Sequence, residues 1–293
     1  MARRLAGDRT RIRRIYADFL LKIRVNPPNP RHPRSISTFL TRFALSTAQV
    51  PLLLAWVAVM IALPIIDWIG GESATVMVIS AGVLCQFWAV MSVVVRAWGW
   101  RRTGIVAVSV ALMAWALEFL GSHTGFLFGA YAYTDKLQPQ LGGVPLLIPL
   151  AWMMMLPPAW AVAQRLVGQG TSWPGRLCFI AVSALAFTVW DLFLDPQMVT
   201  WDLWRWASPG GGFPASYFGI PWTNYVGWLV GSALITAIVR PRPLPATPLL
   251  LIYGITWALE SIGLAFFWGL AGPALVGFVA MGGMLALAVR QGR

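Results

Sequence analysis

Of the 293 residues, 58% are hydrophobic and only 11% charged, and the mean hydropathy is +0.69. A soluble domain is closer to about 25% charged, so these figures exclude a soluble globular enzyme and predict an all-α integral membrane protein, because only closed backbone hydrogen bonding survives in lipid. The net charge of +12 does not indicate nucleic acid. Half of the Lys and Arg residues, 11 of 22, precede Phe43 and the rest punctuate the ends of apolar stretches, which is the pattern of topology signals.

Residues 1–42 read as a basic cytoplasmic arm. Its start is not followed by the apolar core and small-residue cleavage site of a signal peptide. Ile12, Ile15, Phe19 and Ile23 are spaced for an amphipathic interfacial helix that Asn26-Pro27-Pro28-Asn29-Pro30 ends, and anionic lipid headgroups are its expected contact. His32 reads as a solvated polar residue of this arm. Residues 43–293 read as one transmembrane domain. A span needs about 20 apolar residues, and eight such stretches follow: 43–66, 74–96, 104–121, 145–165, 176–194, 219–239, 248–268 and 273–290. With a cytoplasmic N-terminus, 20 basic residues fall inside and only Lys136 and Arg205 outside, which predicts a multi-pass protein of the cytoplasmic membrane with that orientation. Cys85 and Cys178 sit within apolar stretches and read as packing residues, with no disulfide or metal site implied.

The two long connections, 122–144 and 195–218, both fall on the outer side and carry Tyr131, Tyr133, Trp201, Trp204, Trp206 and Tyr217. Taken singly, such rings are an aromatic belt at headgroup level. Gly210-Gly211-Gly212 is a flexible turn, since no helix with a Lys follows to make a phosphate loop.

Two short patterns recur. Trp115-Ala116-Leu117-Glu118 returns as Trp257-Ala258-Leu259-Glu260, each with a Gly three residues on, at Gly121 and Gly263; helical spacing stacks Trp, Glu and Gly on one face. Gly143-Val144-Pro145 with Ala151-Trp152 returns, at unchanged spacing, as Gly219-Ile220-Pro221 with Gly227-Trp228. The second copy is preceded by Asp191 and Asp195.

Of ten acids, Glu118, Asp191, Asp195 and Glu260 fall within spans or at their ends. An acid at mid-membrane depth costs about 2.5–3.5 kcal/mol and marks function by default. Glu118, Asp191 and Glu260 all lie in the outer half of helices running the same way, so one cavity is expected to hold them beside Trp115 and Trp257. Such a layer suits acid–base chemistry or the binding of a cation, substrate or proton; interhelical hydrogen bonding is the plainer alternative. An aromatic face favours a nearby cation by about 0.5–2 kcal/mol, which points to chemistry through a carbocation. Charge is costly in apolar surroundings, so Glu118 is the expected proton donor with Glu260 behind it, and Asp191 or Asp195, beside a wet loop, the group that activates water. His123 reads as a proton relay or a loop-end hydrogen bonder. Asn224 orients a water or carboxylate, or packs a helix. Arg205 pairs with Asp202 or Asp195 at the rim.

The segments GSHTGFLFGAYAYTDKLQPQLGGVPLLIPLAWMMM, DLFLDPQMVTWDLWRW and YFGIPWTNYVGW together resemble the CruF-type membrane proteins of carotenoid biosynthesis, the acyclic carotenoid hydratases, over roughly residues 110–235. The resemblance implies addition of water to the terminal double bond of a carotenoid such as lycopene, γ-carotene or bisanhydrobacterioruberin, with no redox cofactor and with a long polyene as substrate. It places Glu118, Tyr131, Tyr133, Asp191, Asp195 and Asn224 on the family's motif positions, whereas His123 stands where a small residue is expected. Trp152, Trp204, Trp206 and Trp228 join Trp115 and Trp257 as expected substrate-binding rings. Partners implied are membrane lipid and other enzymes of the pathway. A carotenoid cyclase or isomerase would use the same acids, and Asp191-x-x-x-Asp195 also resembles half of the acidic signature of UbiA-like intramembrane prenyltransferases, without a second Asp-rich motif. A transporter or lipid-binding scaffold is the non-enzymatic alternative, although the visible repetition is parallel and not inverted.

Overall fold

The computed structural model describes residues 43, 45–207 and 216–291. The basic arm at 1–42 and the Gly210-Gly211-Gly212 turn lie outside the described residues. Seven helices among them are long and apolar enough to cross a membrane: α1 (Gln49–Trp98), α2 (Trp100–Thr124), α3 (Leu147–Val167), α4 (Trp173–Thr200), α5 (Trp222–Val239), α6 (Ala246–Phe266) and α7 (Ala271–Arg290). The all-α membrane class expected from composition is the observed one.

At 50 residues, α1 would extend about 75 Å if straight, far beyond a hydrocarbon core of about 30 Å. It is not straight. Gly71 adopts φ 70° and ψ −178°, a conformation open only to glycine. Beyond it the chain doubles back: a Cβ built on Gly82 would lie 3.1 Å from the Met60 sulfur, and Thr75 Oγ1 donates to Asp67 Oδ1 at 2.8 Å. Residues 22 apart on one straight helix would be separated by about 33 Å. So α1 contributes two crossings, on either side of Gly71, and with α2–α7 they give the eight that periodicity predicts. What differs is the connection: a single glycine makes the bend, with helix on both sides where a loop over 67–73 was expected.

The helix α3 is the axis of the bundle. Its most apolar stretch is 83% buried, against 17% for α1 and 28% for α2 and α7, and it packs on α1, α2, α4, α6 and α7. The bend at Gly71 and the connections after α2, α4 and α6 gather at one end. Lys136 Nζ meets Glu72 Oε1 there at 2.5 Å, and Trp268 Nε1 donates to Asp67 Oδ2 at 3.1 Å. At the opposite end, Trp98 Nε1 donates to the Pro243 carbonyl at 3.1 Å and Gln164 Nε2 to that of Leu244 at 2.9 Å. Lys136 and Arg205 belong to the first end; Arg101, Arg102, Arg165, Arg240 and Arg242 belong to the second.

Short strands organise the first end. β1 (Tyr131–Tyr133) pairs antiparallel with β4 (Trp204–Trp206), joining the two long connections, in the register Tyr131 opposite Trp206 and Tyr133 opposite Trp204. β2 (Gln140–Leu141) pairs with β3 (Val144–Pro145), and β5 (Ser216–Tyr217) with β6 (Ile220–Pro221). Both of these hairpins turn on two residues of positive φ, Gly142-Gly143 and Phe218-Gly219, the primed turn that fits strand twist. The recurring Gly-Val-Pro and Gly-Ile-Pro are therefore hairpin turn and strand, and the helices open later than expected, at Leu147 and Trp222.

Candidate functional site

Along α2, Val106, Val110, Ala114, Glu118 and Gly121 form one buried stripe with the i, i+4 and i+3 spacing of a single helical face. Glu118 is 3% exposed. One turn on, a Cβ at Gly121 would lie 2.6 Å from the Phe128 ring, and a Cβ at Gly227 of α5 would lie equally close to the ring's other edge. Two glycines thus make the slot that seats Phe128 between α2 and α5. Seating it turns the chain back so that alternate side chains of β1, Tyr131 and Tyr133, face the carboxylate.

Three donors meet Glu118. Tyr131 Oη donates to Oε2 at 2.5 Å, Tyr133 Oη to the same oxygen at 2.7 Å, and Trp152 Nε1 of α3 to Oε1 at 3.1 Å. Burial, and next the charge of Glu118, hold both phenols well above their ordinary pKa, so they remain O–H donors at neutral pH. Trp152 stacks on Trp228, centroids 4.9 Å apart and planes 12° from parallel. The second sequence recurrence therefore brings its two tryptophans face to face.

On α4, Asp191 and Asp195 share a face at i, i+4 and are 0% and 2% exposed. The side-chain amide of Asn224, in the first turn of α5, donates to Asp191 Oδ2 at 3.1 Å and also to Asp195 Oδ2. Trp204 Nε1 on β4 donates to Asp195 Oδ1 at 3.1 Å. Asp191 Oδ1 and the Tyr225 hydroxyl are buried without a partner among the described residues. Tyr217 Oη donates to the Leu192 carbonyl at 3.0 Å. The wet surroundings expected for the two aspartates are absent: the β1–β4 ribbon and α5 cover them as fully as α3 covers Glu118.

Glu118 and Asp195 both line a cavity of about 20 Å³, together with Tyr131, Tyr133, Trp204, Trp206, Asn224 and Trp228. That is space for about one water. Ile148, Ala151 and Leu194 complete its wall; nothing in their sequence context marks them, since they are apolar residues on apolar helices. Tyr225 was missed as well, and its position beside Asn224 was the available signal.

A family model described as carotenoid biosynthesis protein matches residues 73–284, which contain this whole arrangement. The chain belongs to that family. Among curated relatives, the bisanhydrobacterioruberin hydratase of Haloarcula japonica is 31% identical over 136 residues. The alignment covers 46% of this chain and 43% of the relative. No solved structure matches.

Asp191 and Trp152 stand behind the cavity wall, bonded to its Asn224 and Glu118, whereas Glu260, Trp115, Trp257, His123 and Arg205 lie away from it. Glu260 is buried on α6 with Oε2 unpartnered among the described residues, but it is absent from the cavity wall. Its helix meets α1 and α3 through Thr256, Gln86 and Met155. Trp115 and Trp257 donate to the carbonyls of Leu141 and Phe278 and lie against Phe119 and Phe278. What the two copies of the first recurrence share is thus packing by Trp and Gly, with Gly121 and Gly263 each under an aromatic ring, Phe128 and Trp268, while of the two acids Glu118 alone lines the cavity. His123 is exposed and bonds back to Phe119 O at 2.8 Å, a helix-end contact. Arg205 pairs with Asp202 and not with Asp195; Arg205 and then Lys136 hold the Asp202 carboxyl down to about 2. An exposed pair of this kind contributes little stability.

Proposed function

We propose that this protein is a carotenoid hydratase that adds water across the terminal C=C of an acyclic carotenoid end group, using its own side chains and no cofactor. The observation that carries this reading is the pair of carboxyl groups, Glu118 and Asp195, lining one cavity the size of a water together with five aromatic residues. Support also comes from the family and from the hydratase named among its relatives.

Hydration of a dimethylvinyl end needs a proton at the CH carbon, tolerance of a tertiary cation at the neighbouring carbon, and a held water. Asp191 and Asp195 converge on one amide, and a proton shared between them relieves the repulsion of two like charges. Asp195 faces the cavity and delivers that proton, forming the new C–H bond as the alkene π electrons shift. Trp228 and Trp206 line the cavity, and their π systems stabilise the cation. The water held by Glu118 forms the C–O bond, and its proton passes to Glu118, whose oxygens are already set as acceptors by Tyr131, Tyr133 and Trp152. These roles reverse the sequence-based expectation of Glu118 as donor. Three donors already meet Glu118, whereas Asp191 keeps an unpartnered oxygen. An end group is larger than one water, so its entry displaces part of the aromatic wall. By the distribution of basic residues, the site end faces away from the cytoplasm in the cytoplasmic membrane.

The test is pigment analysis of a carotenoid-producing host that expresses the chain, followed by turnover in D₂O with purified protein. A product heavier by one water supports hydration. An isomer of unchanged mass would assign the same acids to cyclisation or isomerisation, and an unaltered pigment pool would exclude both. With Glu118→Gln, deuterium should still enter recovered alkene while hydration falls by roughly 10²–10⁴-fold; with Asp195→Asn both should fall together.

A further inference from the structure

A second cavity lies at the opposite end from the acids. It is a groove of about 560 Å³ between the start of α2 and the end of α5. Three guanidinium groups line it: Arg101, Arg102 and Arg242. None of them has a carboxylate partner among the described residues. Arg102 sits over the Trp98 ring, 5.7 Å from its centroid, which fixes its direction. Its Nη2 reaches only the Arg240 carbonyl, at 3.4 Å, and its buried Nε has no partner among the described residues. Gathering three like charges in one groove is costly unless an anion takes their hydrogen bonds.

We infer that this groove binds the phosphate of an anionic phospholipid from the leaflet at the basic end. A planar guanidinium with free N–H groups fits the oxygens of a phosphate. The rest of the wall distinguishes a lipid from a free anion. Ile105 and Ile238, one helical turn deeper, are 60% and 58% exposed on the lipid-facing sides of α2 and α5, where an acyl chain would lie. Ser109 is one further turn in, on the same wall, with a hydroxyl free to meet a glycerol ester. A guanidinium cluster at headgroup level over an apolar wall matches a phospholipid in both charge and polarity gradient.

Binding of phosphatidylglycerol, phosphatidylcholine of the same acyl chains, and inorganic phosphate to purified full-length protein in neutral detergent tests this, with native mass spectrometry as the readout. Phosphatidylglycerol is expected to bind, and phosphatidylcholine at least about tenfold more weakly. A basic residue near a membrane surface contributes about 1 kcal/mol, about fivefold in affinity. Arg101→Gln with Arg242→Gln should therefore weaken phosphatidylglycerol by about 25-fold. Arg176→Gln with Arg290→Gln removes the same charge outside the groove and should change it less than about twofold. Equal loss in that control would make the effect general surface charge and overturn the site. Equal binding of phosphatidylcholine, or displacement of the lipid by millimolar inorganic phosphate, would overturn the assignment to an anionic phospholipid. If the double variant does not fold, Arg242→Gln alone decides, with about fivefold expected and no change refuting.

Discussion

Replacing Glu118 by Gln keeps the volume of the side chain and removes its ability to take up a proton. The geometry says how the amide would settle. Its oxygen must face Trp152 Nε1, which can only donate, and its NH₂ then faces the two tyrosine oxygens, which can accept. Tyr131 has a second acceptor in the Glu118 carbonyl, 3.3 Å away. Tyr133 is left to find another acceptor, which costs about 1–3 kcal/mol if it fails. The variant should remain folded, with a melting temperature lower by several degrees in detergent. Hydration should fall by roughly 10²–10⁴-fold, the contribution of a general base, while polyene binding persists. Rates with purified protein, alongside deuterium exchange into recovered substrate, separate the two effects. Parental turnover in Glu118→Gln would refute the role, and loss of exchange there with retention in Asp195→Asn would interchange base and acid.

Asn224→Leu removes the donor shared by Asp191 and Asp195 and should cost about 1–3 kcal/mol of stability along with most activity; a thermal melt and a turnover assay check both. Gly227→Ala puts a methyl 2.6 Å from the Phe128 ring, and overpacking of about 1–3 kcal/mol should lower the melting temperature, whereas an unchanged melt would mean that the slot yields. Glu260→Gln should hydrate within about threefold of the parent, because general acid–base contributions begin at about 10²-fold and this carboxyl is outside the cavity wall; an inactive, folded variant would restore it to the site. For orientation, a single Cys at Gln138 should react with an impermeant reagent added to intact cells and one at Arg101 should not; the reverse pattern would invert the topology.

Composition and apolar periodicity were enough to give the class and the eight crossings, because lipid leaves few alternatives to helices. They did not show that Gly71 alone turns one span into the next, since a lone glycine within a long apolar stretch carries no period of its own. Acids and rings were legible as candidates because each is scarce or costly in lipid. Which of them converge was not. The two Trp-Ala-Leu-Glu copies have the same spacing, yet only Glu118 meets Tyr131, Tyr133 and Trp152, because only its copy is followed by a connection that doubles back through Phe128. Identical local patterns differ here in what a distant strand or axial helix places opposite them. The same limit applies to Asp191 and Asp195: proximity to a loop in sequence suggested water, while the β1–β4 pairing that buries them joins residues over 70 apart.

The donors of the two carboxylates at the cavity follow them closely in the chain. Glu118 is met by Tyr131, Tyr133 and Trp152, all before the end of α3, and Asp195 by Trp204 and Asn224, all before the end of α5. During synthesis, an acid entering the bilayer on a lone helix would carry its full insertion penalty of about 2.5–3.5 kcal/mol. Here that penalty lasts only until the next connection and helix emerge. Membrane entry is therefore expected to proceed by helical hairpins, α2 with α3 and then α4 with α5, each shielding its own charge before the two are brought together.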